Sequence, residues 1–242
     1  MLKSLKSLIP AAWKHSLREH FGERTYAGRS YSQEGEDLVL QRLFESSPAG
    51  VFVDVGAHHP FRFSNTFLLY RRGWRGINID ARPDAMAAFH RHRPRDVSLE
   101  LGVSAEPGRL QFSVFEEPAL NTFDPALAQQ RRDAGWPMQG TRWVECQPLA
   151  AILDRELPTL GVQDIDLLSV DVEGLDLEVL RSNEWSRYRP LAVVAEVLGT
   201  DITDMLESDV ARFMDSVGYR PYAKLVNSAV FVRRNAPSAA PT

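Results

Sequence analysis

The sequence predicts an α/β domain with a mainly parallel sheet, closed near its C-terminal end by an antiparallel hairpin. Three observations carry this. Short apolar runs of strand length recur between segments of helical character. The runs Val51-Phe52-Val53-Asp54-Val55 and Ile165-Asp166-Leu167-Leu168-Ser169-Val170-Asp171 are nearly continuous, as strands covered on both faces are. Tyr219 to Leu225 and Ala229 to Val232 flank Asn227-Ser228, which reads as a turn between antiparallel strands. Strands alternating with helices imply parallel pairing with helices on both faces.

Each element follows in order. Ser32 is placed to cap a helix running to about Phe44. The run from Val51 ends at Gly56. A helix from about Asn65 to Arg71 is stopped by Gly73. Arg75 to Asp80 is the second strand, and Pro83 opens a helix reaching about His92. Val97 to Val103 is a third strand, and Arg109 to Phe115 another. Residues 118–146 read as a long irregular insertion. Ile165 to Asp171 is a strand, Leu175 to Arg181 a helix, and Leu191 to Val197 a strand. A helix from Asp201 to Ser216 is stopped by Gly218 before the hairpin.

Bulk properties narrow the function. A chain of 242 residues is long enough for one domain with a sizeable core. A formal net charge of -4 argues against a nucleic-acid binder, which carries a basic excess. Cys146 is alone, so no intramolecular disulfide forms, as suits a reducing compartment. No apolar run has the length of a membrane span, and Leu8-Ile9-Pro10 interrupts the N-terminal stretch before a signal-peptide core develops. These readings place the protein in the cytoplasm.

The expected organisation is a basic amphipathic segment (residues 1–30), one catalytic domain (31–234) and a disordered tail (235–242). Leu2, Leu5, Trp13, Leu17 and Phe21 recur at helical spacing among lysines and arginines, with a break at Pro10. Two fates stay open for this stripe. It packs on the domain or on a second subunit of a homo-oligomer, or residues 1–25 lie on an anionic membrane surface as a peripheral contact at the inner face.

The motifs Tyr31-Ser-Gln-Glu-Gly-Glu-Asp37, Phe52-Val-Asp-Val-Gly-Ala-His-His-Pro60, Ser64-Asn-Thr66, Gly73-Trp-Arg-Gly-Ile-Asn-Ile-Asp80 and Ser169-Val-Asp-Val-Glu-Gly174 occur in this order. Together they resemble the FkbM family of S-adenosylmethionine-dependent methyltransferases, over roughly residues 31–234. The resemblance implies a Rossmann-like methyltransferase domain, S-adenosylmethionine as cofactor, and O-methylation of a hydroxyl on a sugar, glycan or polyketide-like natural product. The closing hairpin agrees, since methyltransferases commonly end on one. The missing Gly-x-Gly-x-x-Gly argues against NAD. An NAD-dependent oxidoreductase and a non-catalytic cofactor-binding subunit of a biosynthetic complex remain the rival readings.

Candidate site residues follow from strand ends, where doubly wound sheets bind ligands. Asp54, Gly56, Ala57 and His58 form the turn after the first strand. Gly56 lets the backbone approach a ligand, and the buried charge of Asp54 needs a partner, which a cationic cofactor supplies. Asp80 is placed to accept the ribose hydroxyls, and Ser104 lies beside the expected adenine slot. The resemblance implies that the segment holding Gln33 closes over the cofactor. Asp171 and Glu173, joined by Glu196 from the next strand, are candidates at the methyl-transfer point, and Asp171 is also a cofactor contact. Either one acid is the general base, or Asp171, Glu173 and Glu196 hold Mg2+. His58 or His59 is an alternative base; as adjacent residues they make a poor zinc pair. Asn121, Thr122, Trp136, Trp143 and the arginines of 118–146 make that insertion a candidate substrate lid.

Overall fold

The computed structural model describes residues 28–199 and 201–234. The amphipathic stripe of residues 1–25 and the tail 235–242 lie outside the described residues. The described residues from Tyr31 to Arg234 form one compact unit.

The elements are α1 (Glu36–Leu43), β1 (Val51–Val55), α2 (Phe67–Arg71), β2 (Arg75–Asp80), α3 (Met86–His92), β3 (Val97–Glu100), β4 (Gly102–Val103) and β5 (Gly108–Phe115). They continue with α4 (Pro125–Asp133), β6 (Met138–Gln147), α5 (Leu149–Glu156), β7 (Leu167–Val170), α6 (Asp176–Arg181) and β8 (Ala192–Glu196). The last are α7 (Ile202–Glu207), α8 (Asp209–Ser216), β9 (Tyr219–Lys224) and β10 (Ser228–Arg233).

The main sheet has seven strands in the order β3-β2-β1-β7-β8-β10-β9. Strands β3, β2, β1, β7 and β8 are parallel, and β10 is antiparallel to both β8 and β9. The predicted mainly parallel sheet with a closing hairpin is therefore present. The chain runs outward from β1 through β2 and β3, then returns to β7 on the other side. The switch point lies between β1 and β7, and a crevice opens there beyond the carboxyl ends.

Alternation along β1 assigns the two faces. Val53 and Val55 join Ile77, Ile79, Leu168, Val170 and Val193 in a core completed by Leu149, Ile152 and Leu153 of α5 and Val179 of α6. Phe52 faces the opposite core, with Leu40, Phe44, Leu69 and Trp74. Asp54 stands on that second face, between Asn78 and Ser169 in register.

Several expectations are revised. Val97–Val103 is not one strand. It divides at Leu101 into β3 and β4, and β4 joins a second sheet of order β4-β6-β5. Gly102 permits this, because a Cβ there would lie 2.6 Å from Cys146 Sγ and 2.7 Å from Phe123. Residues 118–146 are not irregular. Asp124 caps α4 by accepting from the Ala126 and Leu127 amides, and β6 pairs with β5 along its length. The helix over 201–216 breaks at Ser208, whose backbone is extended and whose hydroxyl caps α8 at the Ala211 amide. The first helix starts at Glu36, with Gly35 as its cap residue at φ 95°. Ser32 still serves that turn, accepting from the Gly35 and Asp37 amides at 3.1 and 3.3 Å.

Candidate active site

A cleft opens at the carboxyl ends of β1, β2 and β7. Of the residues expected to hold a cofactor, Gln33, Gly56, His58, Asp80 and Asp171 line it. Phe112 of β5 and the segment that follows it, with Pro118, Ala119, Asn121 and Phe123, complete its lining.

Gly56, besides lining the cleft, has a packing role that was not expected. Its φ is 80°, and a Cβ would stand 1.7 Å from the Asp171 carbonyl oxygen. The glycine lets the β7 turn close on the β1 turn, an approach held by the Asp171 amide donating to Val55 O at 3.0 Å. It thereby sets Asp171 beside the end of β1.

Asp80 is buried at the end of β2. Its Oδ2 accepts from the His58 amide at 2.7 Å and its Oδ1 from the Arg82 amide at 2.7 Å. Burial pushes its pKa up, against the pull of these bonds and of the Arg82 charge. The carboxylate is fixed in orientation, and each oxygen keeps a lone pair for a further donor.

Three expected contacts do not reach the cleft. Asp54 points to the opposite face, where its Oδ2 accepts from the Thr66 hydroxyl at 2.7 Å. Its partners come from the protein rather than from a cationic ligand. The Ala57 methyl packs with Ala85, Met86 and Phe89. The Ser104 hydroxyl donates to Glu106 O at 2.7 Å and closes a turn, while its neighbours Gly102 and Val103 line the cleft.

At the other end of the cleft acids converge. Asp171, Glu173 and Glu196 each bring a carboxylate oxygen within 4.8 Å of the others. Strand alternation is not the cause, because β7 ends at Val170. Glu173 instead adopts φ 56°, a left-handed turn that a non-glycine residue rarely takes. Two contacts from the insertion hold it. The Thr122 hydroxyl donates to Glu173 O at 2.8 Å, and Arg131 pairs with the carboxylate. Arg131 is anchored in turn on Leu120 O at 2.7 Å.

Asp176 was missing from the sequence reading. It opens α6, is 5% exposed, and has one oxygen, Oδ1, without a hydrogen-bond partner among the described residues. Its neighbours make the cluster reluctant to ionise. Burial, then Asp176, Glu196 and Glu173, raise Asp171 well above the ordinary aspartate range. Burial followed by Asp176 and Glu173 pushes Glu196 up to about 8. Burial carries Asp176 to about 7. Glu173 is raised by burial, with Arg131 opposing.

His58 sits at φ 53° with its ring stacked on Phe63 at 5.8 Å. Burial and the nearby Arg62 and Arg82 lower it to about 4, so the ring is neutral near pH 7 and a weaker base than the acids. His59 caps the next turn, its Nδ1 accepting from the Arg62 amide at 3.1 Å.

The methyltransferase FkbM domain matches residues 54–221. The chain belongs to the FkbM methyltransferase family. No curated protein matches it. Among solved structures it is similar to a TehB-like SAM-dependent methyltransferase from Corynebacterium glutamicum ATCC 13032 Kitasato. The identity is 14%, over 93% of this chain and 100% of that one, with a TM-score of 0.39.

Family membership decides between the methyltransferase and the oxidoreductase readings, and S-adenosylmethionine is the cofactor. The donor set of the cleft fits it. A fixed, buried carboxylate at Asp80 suits a diol, and the acids around Asp171 suit a group bearing sulfonium and ammonium charges, whose positive charge favours their ionised forms.

Proposed function

We propose that this FkbM enzyme is an O-methyltransferase acting on a hydroxyl of a sugar, glycan or polyketide-like natural product, with Asp171 as the general base. The observation that carries the reading is the placement of Asp171. Asp171 lines the cleft at the switch point, among acids that raise its proton affinity.

S-adenosylmethionine supplies an electrophilic methyl group on a sulfonium. The protein's tasks are alignment, exclusion of water and removal of the hydroxyl proton. Asp80 orients the cofactor, and Gln33 on the segment before α1 closes one wall. Asp171 takes the proton, since a base with raised affinity suits an alcohol whose own pKa lies far above neutral. Glu173 and Glu196 keep Asp171 proton-hungry, and Arg131 offsets part of their charge. The insertion from Pro118 to Cys146 acts as a substrate lid, since its residues line the cleft opposite the sheet.

A second reading has Asp171, Glu173 and Glu196 holding Mg2+, which acidifies the hydroxyl. The convergence of their oxygens within 4.8 Å favours it, and the guanidinium already seated on Glu173 opposes it. Methyl transfer from labelled S-adenosylmethionine to hydroxylated sugars and polyketides, with and without EDTA, tests both. Transfer that persists in EDTA supports the general base. Activity lost in EDTA and restored by Mg2+ supports the metal. Transfer to nitrogen or sulfur acceptors only would overturn the O-methylation reading.

A further inference from the structure

A polar side chain in the cleft wall has a donor that no group among the described residues takes up. Asn121 is 7% exposed and lines the cleft from the turn after β5. Its Oδ1 accepts from the Phe115 amide at 2.8 Å, which fixes which way the side-chain amide faces. Its Nδ2 has no hydrogen-bond partner among the described residues. Buried donors are almost always satisfied, so a donor held this way at a ligand cleft is matched to an acceptor atom on the ligand.

The surroundings say which ligand. Leu101 donates its amide to Asp80 O at 3.1 Å, so the carboxylate suited to the ribose adjoins the Leu101–Val103 wall. Gly102 of that wall touches Phe123, as the 2.7 Å distance from its would-be Cβ requires. Phe123 lies 4.6 Å from Phe112 between ring centroids. Ala81, Leu101, Gly102, Val103, Phe112 and Phe123 thus make an apolar, partly aromatic slot next to Asp80. Such a slot suits the faces of a purine. A purine offers ring nitrogens as acceptors at its edge, and an asparagine amide is a natural partner for adenine. Asn121, two residues before Phe123, is the polar member of this wall.

We infer that Asn121 recognises the adenine base of the cofactor, its Nδ2 donating to a ring nitrogen. The inference rests on S-adenosylmethionine being the cofactor and is independent of the acceptor. The role differs from the one expected of Ser104, whose hydroxyl is consumed in a turn. It also gives the insertion a cofactor-binding duty besides covering the acceptor.

Calorimetric titration of S-adenosylhomocysteine and its 1-, 3- and 7-deaza analogues tests this on the full chain. Asn121→Asp is the informative variant, because it keeps an oxygen for the Phe115 amide and replaces the donor by a second, ionisable acceptor oxygen. Thermal denaturation checks its fold, and Asn121→Ala is the second variant. Wild type should bind one deaza analogue about tenfold more weakly than the parent. Asn121→Asp and Asn121→Ala should bind the parent about tenfold more weakly and show no further loss with that analogue. The inference is overturned if the variants bind the parent as wild type does, or if the deaza penalty is the same in all three proteins. Unchanged S-adenosylhomocysteine affinity with a raised KM for the acceptor would assign Asn121 to the acceptor instead. Failure of wild type to bind S-adenosylhomocysteine would count against the cofactor itself, a distinct result.

Discussion

Two buried polar regions, one on a face of the sheet and one beyond the carboxyl ends of its strands, are built on opposite principles. Behind the sheet, Arg93 and Asp96 are fully buried and paired at 2.8 Å. Arg93 also donates to the Thr66 hydroxyl at 3.0 Å, and Thr66 donates to Asp54. Asp96 accepts from the Gly76 amide and from Asn78 at 3.0 and 3.1 Å. The charges of this region close on one another. At the cleft, Asp171, Glu173, Asp176 and Glu196 repel each other, and Arg131 pairs with only one of them. A closed network specifies the fold, whereas an open one stores electrostatic cost that a ligand or a proton relieves.

The largest effect should come from breaking the closed side. Arg93→Met leaves Asp96 buried without its partner, a loss of about 3–5 kcal/mol. Denaturant unfolding should show it, and a midpoint close to wild type would refute the assignment of that network to stability. Asp80→Ala tests the open side at its cofactor end. Affinity for S-adenosylmethionine should fall on the order of ten- to hundredfold, the worth of about 1.5–3 kcal/mol for a charged hydrogen bond. Unchanged affinity in a folded variant would remove Asp80 from the site.

A smaller effect concerns pH. Glu196 is raised to about 8 from an ordinary value of 4.5. Its protonated form is favoured in the folded state, so stability from this group is fully present below about pH 4.5 and is lost as pH rises through about 8. Glu196→Gln should therefore melt higher than wild type at pH 8–9, with the gap closing toward pH 5. A gap that widens at low pH would have the wrong sign for this account. The smallest change is expected for Asp54→Asn, which keeps an oxygen for Thr66. Its melting point should drop slightly and its S-adenosylhomocysteine affinity should stay within about threefold, since a retained neutral hydrogen bond is worth about 1 kcal/mol. A large affinity loss would place Asp54 in the cofactor site after all and blur the distinction between the two regions.

This contrast also explains what was legible in the sequence. The strand ends carrying Asp80 and Asp171 were readable, because apolar runs mark buried strands and the crevice lies beyond them. The orientation of Asp54 was readable in principle: alternation puts it with Phe52, away from Val53 and Val55. It was assigned to the cofactor because a buried charge was assumed to lack a protein partner, and Thr66 and Arg93 are distant in sequence. Two helices went unread although their signals are present. Asp124-Pro125 is a cap followed by a first-turn proline, and Leu149, Ile152 and Leu153 follow the helical period. The pairing of β6 with β5 and the ion pair between Arg131 and Glu173 depend on long-range contacts that no local pattern announces. Asp176 was unreadable as a site residue for the same reason, and although Asn121 falls in the candidate lid, only packing reveals its unpartnered amide.

The most direct test of the open cluster as the seat of catalysis is single-turnover methyl transfer by Asp171→Asn, measured with S-adenosylhomocysteine affinity on the same preparation. The account predicts a rate reduced on the order of a hundred- to ten-thousandfold with affinity within about fivefold of wild type. Near-normal transfer by a folded Asp171→Asn variant would contradict it.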